Sequence, residues 1–272
     1  MGAVKTQNIP VELRTWWKSF QVAAYRHDYS AVFHDFVTMA LTQFCVKDEM
    51  FEEWHADAMR RYNRQEKDAF NEMFFEMLNV FKEAVTVKDN PYYDLFGHIY
   101  ETLASSQKKS GLGQFFTPET IVEMIVHMQT QGLETGQGKR IVDPTCGSGR
   151  MLFIAHVYAP GNYVYGIDID PLCAKMSAIN MMLHGCVGEV VCGNGLWLEH
   201  DWRFALAINT DLSKTGIPSI RNLEKEHSFV WHQWKHSETK EPKRDEQTKQ
   251  IQVDKNEKTD RKSAIGSQLS IF

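Results

Sequence analysis

The sequence predicts an all-α N-terminal region followed by an α/β domain with a parallel, doubly wound sheet. Two observations predict this division. From about Val11 to Val87 apolar residues recur at intervals of three and four, and no glycine occurs between Ala3 and Phe96, as expected of amphipathic helices. From Lys139 onward, short β-rich runs alternate with helical runs, which is the pattern of a doubly wound sheet.

The helical region is expected to span residues 1–106 and to end in a helix over 94–106. Its aromatic residues are expected to form the core rather than a ligand site. These include Trp16, Trp17, Phe20, Phe33, Phe36, Phe70 and Phe74.

The α/β domain is expected to cover residues 107–212. Strands are predicted at 139–143, 163–167, 189–192 and 204–208. Helices are predicted between them at 151–158 and 171–184. Residues 213–267 are polar and mixed in charge, which predicts a flexible tail. The sheet would then have four strands, with an edge that the N-terminal helices or a partner must cover.

Composition excludes several other classes. The chain has 272 residues and a net charge of −5, so any basic surface for nucleic acid must be local or supplied by a partner. No C-x-x-C pair occurs, so neither a zinc site nor a disulfide framework is expected. No run approaches the ~20 apolar residues of a membrane span, and the first ten residues do not resemble a signal peptide. We expect a cytoplasmic protein without membrane contact.

The segment 143–149, Asp-Pro-Thr-Cys-Gly-Ser-Gly, gives the strongest functional signal. It follows a predicted strand and precedes a predicted helix. Gly147 and Gly149 would let a ligand approach the backbone of this turn closely. Asp143, at the strand tip, is suited to accept hydrogen bonds from a cationic amino group. The spacing differs from the G-x-G-x-x-G fingerprint, so NAD is not inferred.

A second carboxylate follows the next predicted strand, in the segment 166–171, Gly-Ile-Asp-Ile-Asp-Pro. Asp168 lies where the ribose hydroxyls of a nucleoside cofactor would be in this topology. Asp170 is interpreted as the N-cap of the helix that begins at Pro171.

These motifs resemble a known family. Segments 113–118 (Gly-Gln-Phe-Phe-Thr-Pro), 143–149 and 166–171, in this order, are similar to the motifs of N6-adenine DNA methylases, especially the modification subunits of type I restriction systems. The resemblance covers about Asp94 to Leu196. It implies a Rossmann-like S-adenosylmethionine-dependent methyltransferase domain, with DNA and other restriction-modification subunits as partners.

The resemblance also implies which residues hold S-adenosylmethionine. Phe116 and Thr117 would lie near its methionine end, Asp143 near its amino group, and Asp168 on its ribose. Asn194 would lie by the adenine ring, where the family usually has Asp. The full set of cofactor residues is Phe116, Thr117, Asp143, Thr145, Gly147, Gly149, Asp168 and Asn194.

The catalytic motif of the family is not intact. Family members have Asn or Asp, two prolines and an aromatic residue after the fourth strand, where this chain has Ala207 to Leu212 without proline or aromatic. Asn209 and Asp211 remain as candidate catalytic acceptors. The segment 90–93, Asn-Pro-Tyr-Tyr, looks similar but is interpreted as a turn between helices.

Three functions therefore stay open. The chain is an adenine-N6 DNA methyltransferase with a divergent catalytic loop, a non-catalytic methylase-like binding protein of phage or mobile-element type, or a binder of another nucleoside.

The segment Gln268, Leu269, Ser270, Ile271 and Phe272 ends the sequence with apolar residues after a polar stretch. It resembles the peptide with which bacterial polymerases and repair proteins bind the DNA sliding clamp. Leu269 and the Ile271–Phe272 pair would enter an apolar groove, and Gln268 would fix the register. The alternative is that these residues dock on their own domain.

Overall fold

Six helices precede the sheet within the residues that the computed structural model of the protein describes, which are 9–88, 90–106, 116–131 and 136–238. A 3-10 turn, Val11–Leu13, leads into the first helix. The helices are α1 (Arg14–Ala23), α2 (Tyr29–Gln43), α3 (Glu49–Met59), α4 (Arg64–Thr86), α5 (Leu95–Ser106) and α6 (Glu119–Thr130).

Capping residues define where these helices begin. The side chains of Asp28 and Asp48 accept backbone N–H groups at the starts of α2 and α3. Asn63 and Glu66 form a reciprocal capping box at the start of α4. Pro91 and Tyr92 form the predicted turn before α5.

The predicted aromatic core is present in the helical region. Trp16 stacks on Phe20 at a centroid distance of 5.1 Å and meets Phe36 edge-on at 5.4 Å. These three rings and Phe70 are fully buried. The predicted all-α N-terminal region is therefore confirmed.

The α/β part contains five strands in the spatial order β1-β2-β3-β4-β5. Its elements are β1 (Arg140–Asp143), α7 (Arg150–Tyr158), β2 (Tyr163–Asp168), α8 (Pro171–Leu183), β3 (Val187–Gly193), β4 (Trp202–Ile208), α9 (Leu212–Thr215) and β5 (Ile220–Asn222).

Strands β1, β2 and β3 are parallel and are joined by the crossover helices α7 and α8. In the register of the sheet, Asp143 pairs with Gly166 and Asp168 pairs with Cys192. The carboxyl ends of the three strands therefore meet at one edge. Asp170 caps α8 by accepting the N–H of Leu172 at 2.8 Å, as predicted. The α/β fold class is confirmed.

The prediction of a fully parallel, doubly wound sheet is wrong beyond β3. Strand β4 is antiparallel to β3, and β5 is antiparallel to β4. The cause is the short connection of residues 194–201 between β3 and β4. A parallel crossover needs about a dozen residues or more, so this connection can close only a hairpin.

The predicted flexible tail does not begin at residue 213. Helix α9 and strand β5 lie in that segment, followed by a 3-10 turn at Lys225–His227 and helix α10 (Phe229–Glu238). Ile220 is fully buried, and its N–H and C=O bond to Phe44 and Val46 of the helical region at 3.0 and 2.9 Å. The helical region thus covers the edge of β5, which is the first of the two alternatives expected from the sequence for an open sheet edge.

The helical region and the sheet belong to one compact unit that extends to Ser228, and α10 belongs to a second unit. Among the described residues, no helix combines the length and apolarity needed to cross a lipid bilayer. The segment 268–272 lies outside the described residues.

Gly149 offers a test of how tightly α7 and α8 pack. It has φ +85°, and a Cβ atom there would lie 2.6 Å from Ser177 Oγ on α8. Gly185 has a similar φ of +74° but open space around it. Both Gly→Ala variants incur the left-handed strain of about 1–2 kcal/mol, and Gly149→Ala adds a clash of about 1–3 kcal/mol. Urea unfolding should show the larger loss for Gly149→Ala, and equal losses would contradict this packing.

Candidate cofactor site

A cavity of about 720 Å³ opens at the carboxyl edge of β1, β2 and β3. Of the residues predicted to hold the cofactor, Phe116, Thr117, Asp143, Thr145, Gly147, Asp168 and Asn194 line it. The structure therefore brings three separate sequence motifs and the residue after β3 to one site.

The turn after β1 depends on Gly147. This residue has φ +55°, and its N–H donates to Asp168 Oδ2 at 2.8 Å. A Cβ atom at Gly147 would approach the ring of Phe116 to 3.0 Å. The absence of a side chain thus lets the ring lie against the turn and keeps the backbone accessible at the cavity floor.

Gly149 has a different role from the predicted one. It does not line the cavity but forms the N-cap of α7 in the left-handed conformation, against Ser177 of α8. Its small size serves the approach of two helices and not the approach of a ligand.

Asp143 and Asp168 give the cavity its electrostatic character. Burial raises the pKa of Asp143 above its ordinary value, and the neighbouring charge of Asp168 raises it further, although the N–H of Thr145 counteracts this at 3.0 Å. Burial also raises the pKa of Asp168, against the lowering effect of N–H bonds from Asp170 and Gly147. Two partly desolvated carboxylates in one cavity favour a ligand that carries positive charge.

Asn194 stands directly after β3 and lines the same cavity. Its Oδ1 accepts the N–H of Leu196 at 3.0 Å, so the side chain also shapes the turn that follows. Leu196 is 83 % exposed and borders the cavity together with Ile169. These residues provide an apolar wall beside an amide.

Arg150 holds the Phe116–Thr117 segment in place. Its Nη1 donates to the carbonyl of Thr117 at 2.8 Å, and its guanidinium lies 6.0 Å from the ring centroid of Phe116. The same ring meets Tyr100 of α5 at a centroid distance of 5.0 Å. Sequence reasoning did not single out Arg150, although its position directly after the glycine turn is the signal that could have found it.

Asp94 is a second residue that sequence reasoning missed. It is completely buried just before α5, and its carboxylate accepts bonds from Ser148 Oγ, Arg150 Nε and Asn180 Nδ2 at 2.6, 2.7 and 2.8 Å. The N–H of Gly97 is a fourth donor at 2.9 Å. Burial alone would lower the pKa of Arg150, but Asp94 and Glu101 outweigh this effect and raise it. This network joins the helical region to the glycine turn.

Asn209 and Asp211, the candidate catalytic acceptors, do not lie at this edge of the sheet. Because β4 runs antiparallel to β3, its C-terminal end lies at the opposite edge of the sheet. The amide of Asn209 is buried there and donates to the carbonyls of Met182 and Cys186 at 3.0 and 2.9 Å. Asp211 pairs with Arg221 at 2.8 Å. Both residues have structural partners and neither reaches the cavity.

The described fold is an α/β domain with a cavity at the carboxyl edge of its parallel strands. The segment that contains this cavity is similar to a known protein family. Residues 92–210 match the model of the N-6 DNA Methylase family. The resemblance predicted from the three motifs is confirmed for this segment.

Similar proteins include methylase subunits of type I restriction enzymes. The MjaVII subunit of Methanocaldococcus jannaschii is 30 % identical over 121 residues, which are 41 % of this chain and 20 % of that protein. The HindI subunit of Haemophilus influenzae is 36 % identical over 104 residues, 34 % of this chain and 22 % of that protein. The chain thus spans about a fifth of the length of these relatives.

Among solved structures, a type I restriction-modification methyltransferase subunit from Streptococcus thermophilus aligns with a TM-score of 0.37 and 16 % identity. The alignment covers 67 % of this chain and 57 % of that one.

The Asp94 network predicts unequal effects of two substitutions. Asp94→Asn leaves the buried Arg150 without its buried anionic partner, and this should lower the free energy of unfolding by about 3–5 kcal/mol. Glu101 also contacts Arg150, at 3.2 Å, but is 42 % exposed, so Glu101→Gln should cost about 1 kcal/mol or less. Denaturant titration measures the free energy of unfolding of both variants. Similar losses would show that Asp94 does not stabilise the contact between the helical region and the glycine turn.

Proposed function

We propose that this chain binds S-adenosylmethionine in the cavity at the carboxyl edge of β1, β2 and β3, as a relative of adenine-specific N6 DNA methyltransferases of restriction-modification type. The observation that carries the proposal is the convergence of Asp143 and Asp168, at two neighbouring strand tips, on the glycine turn that contains Gly147. The family match of residues 92–210 supports the same assignment.

The chemistry of the cavity fits this cofactor. Its volume of about 720 Å³ lies within the range of roughly 300–1,000 Å³ usual for small-molecule sites. The cationic amino group would be held by Asp143, and the Phe116–Thr117 segment would border the methionine end. When bound, the cofactor would supply an electrophilic methyl group.

The nucleoside end fits the second and third strands. Each oxygen of Asp168 accepts one backbone N–H, from Asp170 at 2.9 Å and from Gly147 at 2.8 Å. A carboxylate oxygen has a further lone pair, so both oxygens can still accept ribose hydroxyls. The adenine ring would meet the amide of Asn194 and the exposed side chains of Ile169 and Leu196.

A specific observation favours a second candidate, a non-catalytic methylase-like binding protein. Methyl transfer to an adenine amine needs acceptor groups and a stacking face beside the methyl donor. Asn209 and Asp211, the candidates after β4, lie at the opposite edge of the sheet. In this alternative the domain binds the cofactor and acts through a partner modification subunit or through the DNA sliding clamp.

Titration calorimetry with S-adenosylmethionine tests the proposal. Wild type should bind, and Asp143→Ala should weaken binding about ten-fold or more, because a charge-assisted hydrogen bond contributes about 1.5–3 kcal/mol. Asp211→Ala removes the same kind of charge from the opposite edge and should leave the affinity unchanged. No heat with wild type, or equal affinities for wild type and Asp143→Ala, would contradict the proposal.

The same titration should depend on pH in a defined direction. The carboxylate form of Asp143 binds the cation, and burial raises its pKa above the ordinary value. Affinity should therefore be full above that pKa and fall as the pH is lowered through it, starting at a higher pH than for a solvated aspartate. The Asp143→Ala variant should lose this part of the pH dependence, and an unchanged profile would argue against Asp143 as the contact.

We further propose that residues 268–272 bind the DNA sliding clamp. Deletion of this pentapeptide should abolish retention on immobilised clamp, whereas deletion of 255–259 removes five polar residues of the same segment and should not. Equal retention of the two deletion variants would contradict the proposal that residues 268–272 bind the clamp.

A further inference from the structure

A groove of about 500 Å³ lies between the end of α1 and the start of α4. None of its lining residues belongs to the motifs that line the cavity described above. We refer to it as the α1–α4 groove. Polar side chains from both helices and the turn after α1 line it, including Lys18, Gln21, Tyr25, Arg26, Asn63 and Gln65.

Antiparallel packing of the two helices creates the groove. Ser19 Oγ donates to Glu72 Oε2 at 2.9 Å near one end, and residues up to Arg26 face Asn63 at the other. Lys18 and Val22 are four residues apart on α1 and lie along one stripe of the helix. Arg26 follows in the turn after α1 and lines the same groove.

Two basic residues, Lys18 and Arg26, and one acidic residue, Glu66, line the groove, which gives it a formal charge of +1. Lys18 and Arg26 take part in none of the ion pairs formed by the described residues. Glu66 also borders the groove, but it is only 6 % exposed, and its carboxylate accepts the N–H of Asn63 at 2.9 Å and lies 3.5 Å from His27 Nε2. Its carboxylate therefore lies inside the fold, where it forms no ion pair with Lys18 or Arg26.

An aromatic face and amide donors accompany these cations. Tyr25 is 82 % exposed and Val22 is 41 % exposed, so apolar surface is accessible beside the charged groups. Gln21, Asn63 and Gln65 supply side-chain amides at the same groove. Cations, amides and tyrosine are the groups that usually contact nucleic-acid phosphates, and an exposed ring can stack on a base.

We propose that the α1–α4 groove binds the phosphate backbone of DNA. The net charge of −5 opposes non-specific attraction to DNA, so a backbone contact requires unpaired cations gathered at one place. The groove meets that requirement. This inference extends the proposed function by naming the surface that would hold DNA, and it can be tested without the cofactor.

Fluorescence anisotropy with a labelled mixed-sequence DNA duplex, measured over a series of salt concentrations, tests the proposal. In the double variant Lys18→Gln, Arg26→Gln, two phosphates are no longer neutralised. The slope of log K against log salt should become shallower by about 0.9 for each of these phosphates, or about 1.8 in total. Affinity at low salt should fall on the order of ten-fold or more.

The matched control is the double variant Lys47→Gln, Lys88→Gln. It removes two exposed lysines of the helical region that already face Glu52 and Glu83. Its affinity and salt slope should equal those of wild type. In addition, Tyr25→Ala should weaken binding of a single-stranded oligonucleotide several-fold while Tyr25→Phe should not, because stacking needs the ring and not the hydroxyl.

No binding of the duplex by wild type, or equal slopes and affinities for the two double variants, would overturn the proposal. Far-ultraviolet circular dichroism checks that each variant is folded. Calorimetry with S-adenosylmethionine separates this inference from the proposed function, since the groove variants should bind the cofactor like wild type. If the chain binds DNA through the groove but does not bind S-adenosylmethionine, only the proposed function is contradicted.

Discussion

The carboxylate of Asp94 lies where helix α5, the glycine turn and helix α8 meet, and the shape of the cavity at the strand tips depends on the bonds that this carboxylate accepts. Its side-chain partners are Ser148, Arg150 and Asn180, all within 2.8 Å. Arg150 extends the network to the carbonyl of Thr117. One buried charge pair thereby fixes both the turn under the cavity and the segment beside it, so the helical region acts as part of the scaffold of the site.

A second constraint is the length of the connection between β3 and β4. Residues 194–201 are too few for a parallel crossover, so β4 turns back along β3 and ends at the far edge. Asp143 and Asp168 are separated from Asn209 as a result. Among the described residues no strand pairs with the outer edge of β1, where Val142 is 50 % exposed. Within the described residues, therefore, none from the end of β4 lies at the cavity that Asp143 and Asp168 line.

Sequence reasoning predicted the parts of the fold that depend on local signals. Helical periodicity, the glycine turn at 143–149 and the Asp170–Pro171 helix start each involve residues close together in the chain, and each is present. Parallel strands bring their carboxyl ends together by geometry, so the meeting of Asp143 and Asp168 followed once the strands were recognised.

Long-range pairing was the part that sequence patterns did not show. The contact of Asp94 with Asn180 joins residues 86 positions apart, and the pairing of Ile220 with Phe44 and Val46 joins distant segments. Periodicity carries no information on such partners. The direction of β4 is a different case, because the short connection before it was visible in the sequence and excludes a parallel strand.

The central claim is that a nucleoside ligand lies on the glycine turn between two strand-tip carboxylates. The most direct measurement is the electron density of S-adenosylhomocysteine in crystals of the protein. We expect density against Gly147, with the ribose hydroxyls at Asp168 and the amino group at Asp143. Density at the opposite edge, beside Asn209, or clear density for the cavity residues in a conformation that closes the space above Gly147, would contradict it.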